Sequence, residues 1–398
     1  MNDFSYVEKL LDGVEVVWFP ISEVTERTTN IKWRETSERH QYIDLTSVSV
    51  DTKKIIETTE VKASNAPSRA QKLVKKDDVL FATTRPTQMR YCLIDEEYDG
   101  AVASTGYCVL RVKRDVTLSK WILHLISSSD FKKYLEENQS GSAYPAISDA
   151  KVKDFSIPIP CPDNPEKSLA IQAEIVRVLD AFTAMTAELT AELNMRKKQY
   201  NYYRDKLLSF EEGDVEWKAL GKIAEINTGQ KPSEILDTEA EFDYINAGTT
   251  RSGYCALSNC EGDTVTTPSR GQGGIGFVGY QNKSFWLGPL CYKIRSIDNK
   301  ALINKYLFYI LQSKNQLLLG LKKEGGVPAV NKSDLAKLEV PVPSITEQER
   351  IVEILDKFDM LTTSIKEGLP REIELRRKQY EYYRDLLLSF PKPEEAAA

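Results

Sequence analysis

Residues 196–210 read RKKQYNYYRDKLLSF, and residues 376–390 read RRKQYEYYRDLLLSF. The two stretches agree at 12 of 15 positions and lie 180 residues apart. So close a match within one chain points to two copies of one unit. The match extends outward from there. QAEIVRVLDAF (172–182) parallels QERIVEILDKF (348–358), SIPIP (156–160) parallels EVPVP (339–343), and AYPAIS (143–148) parallels GVPAVN (326–331). Near the front of each copy, VEVVWFPISEV (14–24) answers DVEWKALGKI (214–223), and YID (42–44) pairs more weakly with YIN (244–246). YVEKLL (6–11) resembles YRDKLL (203–208), which predicts a chain that starts inside the repeat, as a circularly offset double copy. The simplest geometry for that is an approximate two-fold with neighbouring termini.

The repeated blocks read as helices. Ile175, Leu179, Phe182, Thr186, Leu189, Leu193, Arg196, Tyr200, Tyr203, Leu207 and Phe210 follow steps of four and three, the seam of a coiled coil. Asn164 before Pro165 suits a helix start, with the Asn as cap and the Pro in the first turn. The spacing predicts a helix over 166–210, about 67 Å long at about 1.5 Å per residue. In the second copy the seam runs Ile351, Leu355, Phe358, Thr362, Ile365, Leu369, then Ile373, Arg376, Tyr380, Tyr383, Leu387 and Phe390. The second consecutive step of four is a stutter. Gly368 and Pro370 sit there and predict a kink or break. Ser344 with Glu347 reads as a capping box. A seam needs a partner, and the other copy supplies one. The two helices are therefore expected to pack antiparallel, with Tyr200, Tyr203, Leu207, Tyr380, Tyr383 and Leu387 between them.

Between the helices lie two blocks of ordinary domain size, each mixing short alternating stretches (VLFATT, 79–84; LCYKI, 290–294) with helical ones (118–137; 304–323). The expected fold class is α+β: two mixed α/β domains in a pseudo-two-fold arrangement, separated by two long antiparallel helices forming a coiled coil. The expected order is a repeat fragment over 1–14, a first domain over 15–160, a central helix over 161–213, a second domain over 214–343, a C-terminal helix over 344–390 and a disordered tail over 391–398.

With 41% apolar and 28% charged residues, the 398-residue chain reads as folded and soluble. The start MNDFSYVEKL lacks the layout of a signal peptide, no apolar run is long enough to span a bilayer, and six scattered cysteines show no CxxC spacing. The expectation is a cytoplasmic protein with no membrane partner, no metal site and no disulfide framework. Net charge is −6, which at first argues against nucleic acid. Its distribution matters more: residues 15–160 are neutral, 215–343 carry +2, and the remainder carries −8.

Catalytic patterns are weak. His40 and His124 have no constellation around them, and His124 within WILHLI suits a helix-surface or core role. Gly271 to Gly276 fits GxGxxG, but TTPSR precedes it and FVGY comes after, so it reads as a tight loop with its backbone close to a neighbour. No P-loop, nucleophile elbow or zinc motif appears, and the (D/N)PP(Y/F) tetrapeptide of DNA amino-methyltransferases is absent. Two other readings stay open: a protein-binding coiled-coil scaffold without DNA specificity, and a fused enzyme with an unrecognised active site.

In the middle of the first helix, Thr186-Ala187-Glu188-Leu189 is succeeded at once by Thr190-Ala191-Glu192-Leu193. Four helical residues add about 6 Å and a net turn of about 40°. One base pair of B-DNA turns about 35°. Adding or removing one unit is thus close to one base-pair step in rotation. The duplicated blocks, the VPVP-type exits, the IVRVLDAF and IVEILDKF helices, the RRKQYEYYRDLLLSF ending and the tandem TAEL together resemble the specificity subunit of type I restriction–modification enzymes, in the subclass with TAEL repeats in its central helix.

The resemblance implies that each block is a target recognition domain reading half of a bipartite, asymmetric site in double-stranded DNA. It implies that Thr186, Leu189, Thr190 and Leu193 belong to a spacer that sets the gap. The chain itself is then non-catalytic and binds no cofactor. Two methyltransferase subunits and two motor-nuclease subunits carry S-adenosylmethionine, ATP and Mg. Base readout needs Arg, Lys, Asn, Gln or Ser/Thr on loops that reach a groove. The candidates in the first domain are Lys32, Arg34, Arg39, Thr84, Arg85, Gln88, Arg90 and Ser142. Those in the second are Asn246, Thr249, Arg251, Ser269, Arg270, Gln272 and Lys283. Aligning Asp78 with Asp263 puts Arg85 and Arg270 at matching positions. Gly141-Ser142 and Gly325-Gly326 precede short helices and offer amides to phosphate.

Overall fold

The computed structural model describes residues 9–11, 13–211, 213–271, 273–323, 327–364 and 367–390. Residues 1–8, the tail 391–398, Gln272, Gly325, Gly326 and Ile365 lie outside the described residues. By internal packing the chain divides into two units, Met1–Thr190 with Glu372–Ala398, and Ala191–Arg371.

The longer helices are α1 (Ser119–Leu125), α2 (Ser129–Asn138), α3 (Pro165–Leu207), α4 (Asn304–Ser313), α5 (Ile345–Thr363) and α6 (Leu369–Leu387). Helix α3 begins as its sequence predicts, with the Lys167 amide donating to Asn164 Oδ1 at 3.1 Å. It ends at Leu207, so Phe210 lies beyond it. The predicted break is present. Helix α5 stops at Thr363 and α6 starts at Leu369. Gly368 between them has φ +85° and lies so close to the Met360 and Leu361 carbonyls that a Cβ would meet them at 2.6 and 2.8 Å. Only half of the predicted capping box forms. Ser344 Oγ accepts from the Glu347 amide at 3.4 Å, whereas the Glu347 carboxylate turns to Arg350 at 2.6 Å.

Among the described residues the first unit holds ten strands: β1 (Val16–Pro20), β2 (Thr25–Glu26), β3 (His40–Ile43), β4 (Thr59–Val61), β5 (Ala70–Leu73), β6 (Val79–Ala82), β7 (Tyr91–Leu93), β8 (Val102–Ser104), β9 (Tyr107–Val112) and β10 (Ser156–Pro160). They form a β1–β10 ribbon and two sheets ordered β2-β9-β6-β7 and β4-β3-β8-β5. The second unit adds β11 (Glu216–Ala219), β12 (Ala224–Thr228), β13 (Phe242–Ile245), β14 (Tyr254–Cys255), β15 (Thr264–Pro268), β16 (Gly279–Gln281), β17 (Trp286–Leu287), β18 (Cys291–Ser296) and β19 (Glu339–Val342). It repeats the plan as a β11–β19 ribbon and sheets ordered β12-β18-β15-β16 and β14-β13-β17. In both units one pairing, β3–β8 or β13–β17, is parallel among antiparallel neighbours. The fully buried β6, VLFA, lies under α1, whose Trp121 and Ile122 belong to the same core.

The repeat extends to individual hydrogen bonds. Lys120 and His124 of α1 meet Asp180 of α3 at 2.6 and 3.0 Å, and Lys305 and Tyr309 of α4 meet Asp356 of α5 at 3.3 and 2.5 Å. Gln172 accepts from the Leu118 amide at 3.1 Å, as Gln348 accepts from the Ile303 amide at 2.9 Å. The Trp121 indole and the Tyr306 hydroxyl each donate at 3.1 Å to the carbonyl of the corresponding proline, Pro158 or Pro341. Buried polar groups need such partners, and the same solution is used twice. His124 is 3% exposed with both ring nitrogens engaged, by Asp180 and by the Tyr380 hydroxyl. Of the two roles its setting allows, helix surface or core, the structure shows the core one.

Two of the seam tyrosines, Tyr383 and Tyr203, each stack on a phenylalanine of another helix within one unit. In the first unit Phe182 of α3 stacks on Tyr383 of α6, and in the second Tyr203 of α3 stacks on Phe358 of α5. Leu387 joins the first core at 4% exposure, while Tyr200 and Leu207 pack against the second.

Candidate nucleic-acid interface

The first candidate loop leaves the buried strand β6. Thr83 donates its amide to the Gly106 carbonyl at 2.8 Å, and Thr84 bridges to Ala146. Arg85 then takes a left-handed conformation (φ 50°), and its amide donates to the Pro145 carbonyl at 2.7 Å. Pro86 to Gln88 form a single 3₁₀ turn, closed by Met89, also left-handed. The exposed Arg85 guanidinium lies 5.3 Å from the centre of the Tyr144 ring. Gln88 is exposed at the loop tip. Arg90 is committed inward: its guanidinium donates to the carbonyls of Leu45 (2.5 Å) and Val48.

The equivalent loop leaves β15, and its register corrects the alignment of Arg85 with Arg270. Val79 pairs with Leu110, and Val265 with Ile294. Thr84 bridges to Ala146, and Arg270 bridges to Ala329. The Arg85 amide meets Pro145, and the Gly271 amide meets Pro328 at 3.1 Å. Arg270 is thus the counterpart of Thr84, and Gly271 (φ 124°) that of Arg85. Matching Asp78 with Asp263 slips the register by one residue: Asp263 answers Asp77, and both are left-handed, with φ 50° and 69°. Gly274 packs so tightly that a Cβ would stand 2.0 Å from the Ala247 carbonyl. This is the tight loop expected of the Gly271–Gly276 run.

The remaining candidates divide by what their side chains do. Arg34, Arg270 and Lys283 are exposed and have no ion pair among the described residues. Lys32 pairs with Glu35 at 3.1 Å and Arg39 with Glu60 at 2.7 Å, both at the surface. Arg251 lies 3.8 Å from Asp243 and over the Tyr254 ring, and with Thr249 it lines a cavity of about 70 Å³. Ser269 is buried, its amide and carbonyl taken by Leu290 and Val330. Asn246 Oδ1 accepts from the Leu290 amide at 2.9 Å, so this side chain shapes its own loop. Gly141 and Ser142 sit in the turn closed by Ser140 and Ala146, not at a helix N-terminus. The next helix, Asp149–Asp154, is capped by Ser148.

Lys53 is a functional candidate that its sequence setting conceals. Its ammonium donates to the Met89 carbonyl and lies 4.6 Å from the centre of the Tyr91 ring. Lys53 therefore clamps the end of the first candidate loop. Its only sequence signal is a lysine pair in a polar stretch.

A family described as the type I restriction modification DNA specificity domain matches residues 14–196 and 212–375, once per copy. The chain belongs to that family. It is 41% identical to the Type I restriction enzyme EcoR124I/EcoR124II specificity subunit of Escherichia coli, over 99% of both chains. It is 34% identical to the EcoprrI specificity subunit of Escherichia coli, over 92% of this chain and 93% of that one. Two solved structures share the fold. A chain from work on complex assembly and conformational transition of the type I R-M system has a TM-score of 0.63 at 22% identity, covering 94% of this chain and 97% of that one. The S subunit of the type I restriction-modification system of M. genitalium has a TM-score of 0.61 at 17% identity, covering 96% and 98%. No helix among the described residues is long and apolar enough to cross a membrane.

Proposed function

We propose that this chain is the non-catalytic DNA-recognition subunit of a type I restriction–modification complex in the cytoplasm. Each unit reads one half of a bipartite, asymmetric site in double-stranded DNA. Two methyltransferase subunits dock on the repeated helices and methylate adenines with S-adenosylmethionine. Two motor-nuclease subunits use ATP and Mg for cleavage. The TAEL pair sets the gap between half-sites, as in the subclass the sequence resembles.

One observation carries the reading: the specificity-domain family matches twice, and each match contains a loop of the same construction, fed by a buried strand and pinned to a Pro-Ala bridge. Division of labour follows from chemistry. Exposed Arg85, Gln88 and Arg270 supply base-edge donors and acceptors on loops held by rigid sheets. The E. coli relatives named as specificity subunits support the same assignment.

The test mixes the purified chain with its methyltransferase subunit. The chain alone transfers no methyl group. The mixture yields a complex with two copies of the partner and methylates adenine at one bipartite sequence. Methylation by the chain alone, or a complex indifferent to DNA sequence, would reject the proposal.

A further inference from the structure

Each candidate loop leans on a turn, and the two turns are held in the same way. In the first unit Ser140 and Ala146 exchange backbone hydrogen bonds of 2.9 Å, and the Ile147 amide donates to the Thr83 carbonyl at 2.9 Å. In the second, Lys323 and Ala329 exchange bonds of 2.9 and 3.3 Å, and the Val330 amide donates to the Ser269 carbonyl at 2.9 Å. The proline of each turn accepts from the loop, Pro145 from the Arg85 amide and Pro328 from the Gly271 amide. The residue before that proline is Tyr144 in one unit and Val327 in the other. A proline narrows the backbone freedom of its predecessor, so each side chain leaves a restrained position. Tyr144 is 72% exposed and Val327 63%, and neither joins a hydrophobic cluster of its unit. One exposed apolar residue needs no explanation. The same position, apolar and exposed in both copies beside the same kind of loop, asks for one.

The two side chains offer different chemistry. The Tyr144 ring centre lies 5.3 Å from the Arg85 guanidinium carbon. A ring face holds a guanidinium without using its N–H donors, so the fork stays free for a base edge while the ring limits where it points. In the second unit the loop residue at that place is Gly271, which offers no side chain to hold. The apolar group that base edges show in the major groove is the thymine methyl. We infer that the residue before the turn proline is a specificity-determining position in each unit. Tyr144 is a positioning residue that aims Arg85 at a base edge of the first half-site, and Val327 contacts a thymine methyl in the second. The inference rests on the proposed DNA-recognition function and adds two residues that lie outside both candidate loops.

The test uses the full chain assembled with its methyltransferase subunit and reads initial methylation rates at limiting DNA. The probes are the duplex that this complex methylates, duplexes with each base pair of the site changed in turn, and duplexes with each thymine replaced by uracil. Tyr144→Ala is expected to lower discrimination by about 2–5-fold at one or two adjacent base pairs of the first half-site, the size of an exposed ring–cation contact. Tyr144→Phe should keep it, because the ring and not the hydroxyl holds the guanidinium. In an Arg85→Gly background Tyr144→Ala should change nothing further. In the wild type, uracil at one thymine of the second half-site should lower the rate by about 4-fold, the worth of one buried methyl. Val327→Ser should abolish that difference. Tyr144→Phe as damaging as Tyr144→Ala, loss that adds to that of Arg85→Gly, or loss spread over both half-sites overturns the role of Tyr144. A wild type indifferent to uracil throughout the second half-site, or a thymine preference that survives Val327→Ser, overturns that of Val327. A variant that fails to assemble with its partner overturns its residue's role as well, since the side chain then serves protein docking. A wild-type complex that methylates regardless of sequence would instead overturn the reading beneath.

Discussion

Phe182 stacks on Tyr383 with ring centres 5.3 Å apart and planes at 17°. The repeat turns that pair into its own mirror. Phe358 is the counterpart of Phe182, Tyr203 is the counterpart of Tyr383, and these two stack at 5.7 Å and 26°. One aromatic contact is used twice, once within each unit, with the partners exchanged.

Each stack should stabilise its own unit. Phe182→Ala and Phe358→Ala are expected to cost about 1–2 kcal/mol each, below a full core truncation because both rings are half-buried. Hydrogen exchange is the suitable readout, since a two-unit chain need not melt in one step. Protection should fall in α1 and the first half of α3 for Phe182→Ala, and in α4 and α5 for Phe358→Ala. Equal loss in both units by either variant would contradict this.

Asp180 should make the first unit acid-sensitive. Burial would raise its pKa, but hydrogen bonds from His124 and Lys120 outweigh that and hold it below the ordinary carboxylate value. A lowered carboxylate stabilises the fold above its unfolded pKa of about 4 and loses that contribution as pH falls through the lower folded value. Asp180→Asn should therefore weaken the unit by about 1–2 kcal/mol at pH 7. The difference from wild type should shrink below pH 4. Denaturant melts at pH 7, 5 and 3.5 would show it, and a pH-independent difference would refute it.

Arg85 occupies a left-handed position whose counterpart is Gly271. Arg85→Gly should therefore be accepted by the fold, with stability unchanged or raised by about 1 kcal/mol as backbone strain is relieved. DNA discrimination should fall in one half-site only. Methylation of substrates altered base by base in each half-site tests this. Loss spread over both halves would place Arg85 outside base reading.

A third TAEL inserted after Leu193 should widen the gap in the methylated site and leave both half-sites as they are. The insertion adds about 6 Å of helix and a net turn of about 40°. Methylome sequencing reads the outcome directly. Altered half-sites would end the spacer assignment.

The sequence alone determined the duplication, the two helices, the Asn164 cap, the break at Gly368 and the seam tyrosines. All of these rest on local spacing: a helix repeats every 3.6 residues, and its caps and breakers act within one turn. Only the tertiary structure decided the partner of Arg270, because loop register is set by strand pairing between β15 and β18, and the adjacent Asp77 and Asp78 leave two alignments with Asp263 open in the sequence. It also decided which cations face outward. Arg90 spends its guanidinium on carbonyls 42 and 45 residues away, and Lys53 donates to the Met89 carbonyl 36 residues away. Charge in a sequence is a property of residue type, whereas its availability depends on what the folded chain brings within reach.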